Sequence, residues 1–281
     1  MVGDREPPLG REATPGARPD PAGTSGVEVG KGGAASHSDG VAGPRVTPAI
    51  VAYLRAVFLL HQGGDSVPTL RIADELGVSG PSVTNMVKRL HTLGLLRHER
   101  YRGVELTEAG ERIALRATRL HRLLELYLVE ALGFSWDEVH DEADRLMPHV
   151  SEKLETRLDA VLGHPSRDPH GDPIPTRDGV VAPVSNRRLL DLPPGARAEV
   201  ARVGDRDPAR LRYLRGLGLY PGTEVTLLER LPFDGPVKIR VGAIEQILGQ
   251  SLAAAVHVVE VGPAVSPPRV GASASVPADA P

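Results

Sequence analysis

The chain contains no cysteine. That absence excludes disulfides, thiolate zinc sites and cysteine nucleophiles together. Long apolar runs are also missing, and the N-terminus has no apolar segment behind its basic residues, so neither a membrane span nor a signal peptide is expected. The expected location is the cytoplasm. Residues 1–44 and 263–281 are almost without large apolar side chains, and Gly, Pro, Ala, Ser and charged residues fill them instead. Both ends are expected to be disordered tails.

Net charge is small, at −3 over 281 residues, but it is unevenly spread. Residues 45–118 carry ten Lys/Arg against seven Asp/Glu, whereas residues 119–163 carry five against ten. A basic region followed by an acidic one suggests a polyanion partner for the first and cations for the second.

Within the basic region, Thr47-Pro48 reads as an N-cap with proline in the first helical turn. Ile50, Val51, Leu54, Val57, Phe58 and Leu60 then form an apolar stripe that stops at Gly63-Gly64. A short helix capped by Thr69 stops at Gly77, and a third begins at Pro81 or Ser82 and stops at Gly94. Together these two have the length and glycine-bearing turn of a helix-turn-helix. Extended runs at 95–100 and 104–107, around Tyr101-Arg102-Gly103, read as a β-hairpin wing.

The third helix divides into two faces. Val83, Val87, Leu90 and Leu93 point to a core, which leaves Ser79, Pro81, Ser82, Thr84, Asn85, Lys88 and Arg89 for a DNA groove. Residues 79–103 hold five basic side chains and one acidic one. Lys88, Arg89 and Arg102 suit phosphate contacts, while Asn85 and the small residues suit base edges and thymine methyls. The alternative is a winged helix used only for protein contact.

Residues 119–162 carry the strongest helix-packing signal and the densest set of possible metal ligands. His121 and Glu125 stand four apart on a segment whose Leu120, Leu124, Tyr127, Leu128 and Ala131 recur at helical spacing, so both side chains leave one face. Ser135 and Glu138 read as a capping box opening a second helix, with His140 in its second turn and Asp141, Glu142 and Asp144 following. Imidazole with carboxylate suits a divalent transition metal better than calcium or magnesium. The plain alternative is a solvated, salt-bridging helix face.

Residues 164–186 are rich in Pro, Gly and Asp and read as a linker, with His164 and His170 as ordinary loop histidines. Beyond Asp191 the pattern turns to β. Strands are expected at 196–203, 225–231, 237–241 and 255–261, a hairpin turn at Asp234-Gly235, and a helix over 208–215, which together suit a small barrel.

The stretches IADELGVSGPSVTNMVKRL, YRGVELTEAGE, HRLLELYLVEALG and WDEVHDEADRL resemble, in that order, the diphtheria-toxin-repressor (DtxR) family of metal-dependent regulators, especially its manganese-responsive members. PHGDPIP continues the match. DRDPARLRYLRGLGLYPGTEV resembles the SH3-like, FeoA-type domain that closes many of them. The resemblance implies a mainly α fold with β. A winged helix-turn-helix would occupy 45–118, a helical dimerisation and metal-binding domain 119–163, a Pro/Gly-rich linker 164–190, and an SH3-like β barrel 191–262.

The same resemblance implies a homodimeric transcriptional repressor, not an enzyme, that binds a palindromic double-stranded DNA operator in response to Mn(2+) or Fe(2+). Its ancillary-type metal site would use His121, Glu125 and His140, with Asp207 reaching in from the last domain; alternatively, Asp207 caps the helix that starts at Pro208. A primary-type site departs from the family pattern. Ala52 stands at a first-helix ligand position, Asp144 where Cys or Glu occurs, and Met147-Pro148 in place of Glu-His, with His149 one residue late. Asp144, Met147 and His149 are therefore candidate ligands of an altered site, and loss of that site is the alternative. Three other functions are weighed: a metal-independent repressor, a metal hydrolase at the His121 cluster, and a metal-buffering or transport-accessory module.

Overall fold

The computed structural model describes residues 46–61, 66–99, 103–204 and 206–261. The expectations for the two tails, for Gly63-Gly64 and for Arg102 lie outside them.

Helix α1 (Pro48–Leu60) is capped by Thr47, whose hydroxyl accepts from the Ile50 amide at 3.4 Å. Helices α2 (Thr69–Leu76) and α3 (Gly80–Thr92) follow, separated by a turn in which Gly77 takes φ 61°. Thr69 is not the cap of α2: Pro68 holds that position, and no side chain bonds the free amides. Helix α3 starts earlier than expected because Ser79 caps it, accepting from the Ser82 amide at 3.4 Å. Val83, Val87 and Leu90 are buried with Ile50, Leu54, Val57 and Ile72 in one core, against which Leu93 is partly buried.

Strands β1 (Leu96–Glu99) and β2 (Gly103–Leu106) pair antiparallel, with Leu96 opposite Leu106. Val67 adds a bridge to Val104 through two 2.9 Å hydrogen bonds. Helix α4 (Glu108–Leu132) then leaves the wing so closely that a Cβ on Gly110 would lie 1.9 Å from the Leu95 carbonyl oxygen, so only glycine fits there.

At 25 residues α4 is the spine of the molecule, about 37 Å long at the usual rise per residue. Its first turns bury Ala114 in the α1–α3 core, while Leu124 and Leu128 pack with Val139, Ala143 and Leu158. A boundary at 118/119 thus falls inside one unbroken helix. The capping box expected at Ser135 and Glu138 does not form, because the Ser135 hydroxyl bonds Asp137 instead. Helix α5 (Val139–Leu146) begins without a side-chain cap, and His140 falls in its first turn. Pro148 has no amide hydrogen to continue α5, so Met147–His149 tighten into a 3-10 turn before α6 (Glu152–Val161).

Residues 163–186 form neither helix nor strand, yet they are packed rather than loose. Asp168, His170 and Ile174 are buried. Arg122 donates to the Pro173 carbonyl at 2.5 Å and Arg119 to the Pro175 carbonyl at 2.8 Å. Two buried arginines of α4 thereby satisfy backbone oxygens that have no sheet partner.

The C-terminal sheet is antiparallel in the order β6-β5-β4-β3-β7, built from β3 (Arg197–Val203), β4 (Glu224–Arg230), β5 (Val237–Val241), β6 (Ile244–Leu248) and β7 (Val256–Glu260). Helix α7 (Pro208–Gly216) lies between β3 and β4, and α8 (Gln250–Ala255) precedes β7. Strand β6 and helix α8 were not expected. The β4–β5 turn is centred one residue early, on Phe233-Asp234 with φ 59° and 53°, and closes through Gly235 N–H to Pro232 O at 3.1 Å. Trp136, from the α4–α5 connection, is buried in the barrel core with Leu211 and Leu214 and so ties the barrel to the helices. Among the described residues no helix is long and apolar enough to cross a membrane.

Candidate metal centre

Helical spacing puts His121 and Glu125 on the side of α4 covered by α5 and by residues 168–174. They are 2% and 3% exposed, far from the solvated face of the plain alternative. His121 Nδ1 lies 3.3 Å from Glu125 Oε2, and His140 Nδ1 lies 3.1 Å from Glu125 Oε1. The two imidazole rings meet edge-on with centroids 4.7 Å apart. One buried carboxylate therefore faces nitrogen atoms from two different helices.

Glu125 also belongs to a second compact set with Asp168 and His170, whose ligand atoms again lie within 4.8 Å of one another. His170 is not an ordinary loop histidine. Its Nε2 donates to the Trp136 carbonyl at 2.8 Å, and in the neutral form of such a ring Nδ1 keeps the lone pair a cation needs. The turn is pressed onto β3: a Cβ on Gly171, at φ 88°, would lie 2.1 Å from the Ala201 oxygen, and Val203 N–H donates to the His170 carbonyl at 2.9 Å. Asp168 Oδ1 accepts from the His170 and Asp172 amides at 2.9 Å each, and Oδ2 faces Arg122 Nε at 3.4 Å. His164, by contrast, is solvent-facing and pairs with Asp159.

These groups divide their protons unequally. Burial pushes the Glu125 carboxyl up, but the His121 charge and hydrogen bonds from both His121 and His140 outweigh it and hold the group well below the ordinary glutamate value. Burial, reinforced by the Glu125 and Asp172 charges, pushes Asp168 well above the ordinary aspartate value despite Arg122. His140 is lowered, chiefly by burial. Imidazole nitrogens with an ionised glutamate and an aspartate carboxyl make a donor set suited to a divalent transition metal. His121 Nε2 is buried and makes no well-aligned hydrogen bond, its near neighbour being the Asp144 carboxylate at 3.0 Å. The cluster opens into a cavity of about 350 Å³ at the junction of α1, α4, α5 and the barrel, with Arg55, Arg122 and Arg206 among its walls.

The other candidate ligands are placed differently. Asp144 lies beside the first cluster, with Oδ1 3.0 Å from His121 Nε2, and receives a 2.7 Å hydrogen bond from Arg55 on α1. Met147 packs its side chain against the core around Leu124 and Leu128, and His149 is exposed in the 3-10 turn. Neither Asp144 nor His149 stands in a compact set of His, Asp and Glu donors among the described residues. The Pro148 turn carries His149 outward, and Arg55 engages Asp144. Asp207 caps α7, accepting from the Ala209 and Arg210 amides at 2.8 and 3.4 Å, and stands in neither compact set. On α3, Ser79, Pro81, Ser82, Thr84, Asn85, Lys88 and Arg89 are all exposed along one face.

Comparison with known proteins agrees with this layout. Residues 46–104 match the iron dependent repressor N-terminal DNA binding domain, 107–176 the iron dependent repressor metal binding and dimerisation domain, and 187–260 the FeoA domain. The iron-dependent repressor IdeR of Mycobacterium leprae is 36% identical over 222 residues, spanning 74% of this chain and 96% of that protein. The chain belongs to the diphtheria toxin repressor family. The diphtheria toxin repressor of Corynebacterium efficiens is 33% identical over 219 residues, covering 74% of this chain and 94% of the relative. Among solved structures, a manganese-dependent transcriptional repressor in complex with manganese superposes with a TM-score of 0.71 at 39% identity, over 75% of this chain and all of that one. ScaR with bound Zn2+ gives 0.66 at 30% identity, over 75% and 99%. Members of the DtxR family are metal-dependent transcriptional repressors, and this chain carries the domains of that family over residues 46–260.

In this DtxR-family member the residues that sequence reasoning missed are Arg55, Arg122, Asp168 and His170. The last two had a signal: Asp-Pro-His-Gly-Asp sets three donors within five residues around an invitation to turn. Periodicity cannot register it, because a loop has no period.

Proposed function

We propose that this chain is a homodimeric repressor that binds a palindromic operator through α3 when Mn(2+) or Fe(2+) occupies the cluster around Glu125. The observation that carries the reading is a single buried carboxylate facing His121 and His140 on one side and Asp168 and His170 on the other. When bound, the metal would supply a divalent charge to which donors from α4, α5 and the 168–172 turn all contribute. His121, Glu125 and His140 would hold it, and Asp168 and His170 stand ready to extend the set. Glu125 arrives ionised, so it needs no proton removed before it ligates. The chemistry of this N/O set also admits cobalt or nickel in vitro, since divalent affinity follows ligand type and not biological role.

Exposure of Asn85, Lys88 and Arg89 beside the capped start of α3 supports insertion into a major groove. Leu146, Leu154 and Val161 leave apolar surface exposed on α5 and α6, which supports a dimer face there. Asp207 remains a reserve ligand in this reading, and its capping of α7 is its first role. A cytoplasmic site of action and the absence of catalysis accord with the family role.

A second reading, a repressor that binds DNA without metal, draws on one observation. The Arg55–Asp144 pair already joins α1 to α5, and Ala52, Met147 and Pro148 offer no standard ligand nearby. Selection from random DNA with manganese and with chelator separates the two. Two-fold symmetric sites enriched only with manganese are expected; equal enrichment under chelator would establish the second reading.

A further inference from the structure

His121 shows its two ring nitrogens to different partners. Nδ1 faces Glu125 Oε2 at 3.3 Å, on the side shared with His140, whereas Nε2 lies 3.0 Å from Asp144 Oδ1. Nε2 is buried and makes no well-aligned hydrogen bond as it stands, which leaves Asp144 as the carboxylate in reach of it. Asp144 in turn accepts a 2.7 Å hydrogen bond from Arg55 Nη1, and the Arg55 side chain is only 11% exposed. A guanidinium so far out of water needs a carboxylate beside it, because a buried charge left alone is strongly destabilising. The file Glu125–His121–Asp144–Arg55 thus runs from α4 through α5 to α1.

A metal-ligating histidine commonly donates its other ring N–H to a carboxylate, which fixes the tautomer and the ring orientation. Asp144 stands where that carboxylate would be. It is also committed to a buried cation of the protein's own, which makes it a poor ligand for a second one. On the far side, α1 shares its core with Val83 and Val87 of α3, so a shift of Arg55 is felt under the DNA-reading helix.

We propose that His121 binds metal through Nδ1, that Asp144 is the positioning carboxylate on its Nε2–H and not a ligand, and that Arg55 carries the state of this pair into the DNA-binding module. The proposal rests on the metal-centre reading above. A cation on Nδ1 draws electron density from the ring and strengthens Nε2–H as a donor. Asp144 closes on it, and Arg55 follows Asp144 on α1.

Nitrogen-15 NMR of the histidines in the full-length chain, titrated with zinc as a diamagnetic probe, reads the first step directly. His121 is expected to show a metal-bound Nδ1 and a protonated Nε2. Zinc on Nε2 would overturn the relay alone, whereas no zinc-dependent change at His121, Glu125 or His140 would sink the metal-centre reading itself. Asp144→Asn should keep the metal stoichiometry and lower affinity about 10- to 100-fold; loss of a metal equivalent makes Asp144 a ligand and refutes the proposal. Arg55→Met should leave stoichiometry unchanged and reduce the metal-linked gain in DNA affinity at least about fivefold. If that gain is unchanged in a variant that melts cooperatively, Arg55 carries nothing. Arg55→Lys keeps the charge without the planar fork and gives the same test, with a smaller expected loss, should Arg55→Met not fold.

Discussion

His170 stacks on Trp136 with ring centroids 5.4 Å apart and 22° between planes, while its Nε2–H bonds the Trp136 carbonyl at 2.8 Å. Trp136 is itself part of the barrel core, so the orientation of a candidate ligand is set by the packing of the C-terminal domain. His170→Ala is expected to weaken metal binding by tenfold or more, on the order seen when a support of a metal site is removed, with little loss of stability. Trp136→Ala should cost about 3–5 kcal/mol as a large buried aromatic is deleted. Calorimetric metal titration and urea unfolding measure the two effects. A His170→Ala chain that binds manganese as tightly as the parent would remove His170 from the site.

Burial and the Glu125 and Asp172 charges raise the Asp168 carboxyl above the ordinary aspartate value, so a cation drawn to it competes with a proton. Metal affinity is expected to rise with pH, with proton release accompanying binding. The check is isothermal titration in buffers of different ionisation enthalpy. Heats that do not depend on the buffer would show that no protonated acid stands in the way.

Asp159 links α6 to α4 through Arg119 Nη2 at 2.8 Å and also bonds His164 at 2.9 Å. Burial pushes its carboxyl up, but the His164 hydrogen bond and the Arg119 charge prevail and lower it. A depressed carboxylate stabilises in full above its unfolded pKa of about 3.9, and that contribution fades as pH falls through the lower folded value. Asp159→Asn should therefore cost about 2–3 kcal/mol at neutral pH, as expected for hydrogen bonds to charged groups. The difference from the parent should shrink in acid. Urea midpoints taken at neutral pH and below pH 4 test this, and a gap independent of pH would point to packing instead of charge.

On the DNA side, Arg89→Ala should weaken every sequence alike and reduce the salt slope by about one. Asn85→Ala should relax preference at one position per half-site, by about 1–3 kcal/mol of discrimination. Fluorescence anisotropy against operator variants over a salt series resolves both. A uniform loss for Asn85→Ala would make it another phosphate contact.

The local order of the chain is written in its residues. Thr47-Pro48 and Gly77 mark helix ends through a cap and backbone freedom, and those signals act over a few residues, where sequence is sufficient. The period of four that unites His121 and Glu125 is equally local. What lay beyond reach were the choices made by competition between distant groups. Ser135 had two partners available and took Asp137; strand β6 and α8 exist because β5 and the barrel core offered pairing and burial. The centre itself was decided in the same way. Asp144 met Arg55, eighty-nine residues away, and His170 came beneath Trp136 only because Gly171 let its turn lie against β3. Sequence specified which donors exist and which helix faces carry them, but their number at one point in space depends on long-range packing, where no periodicity reaches.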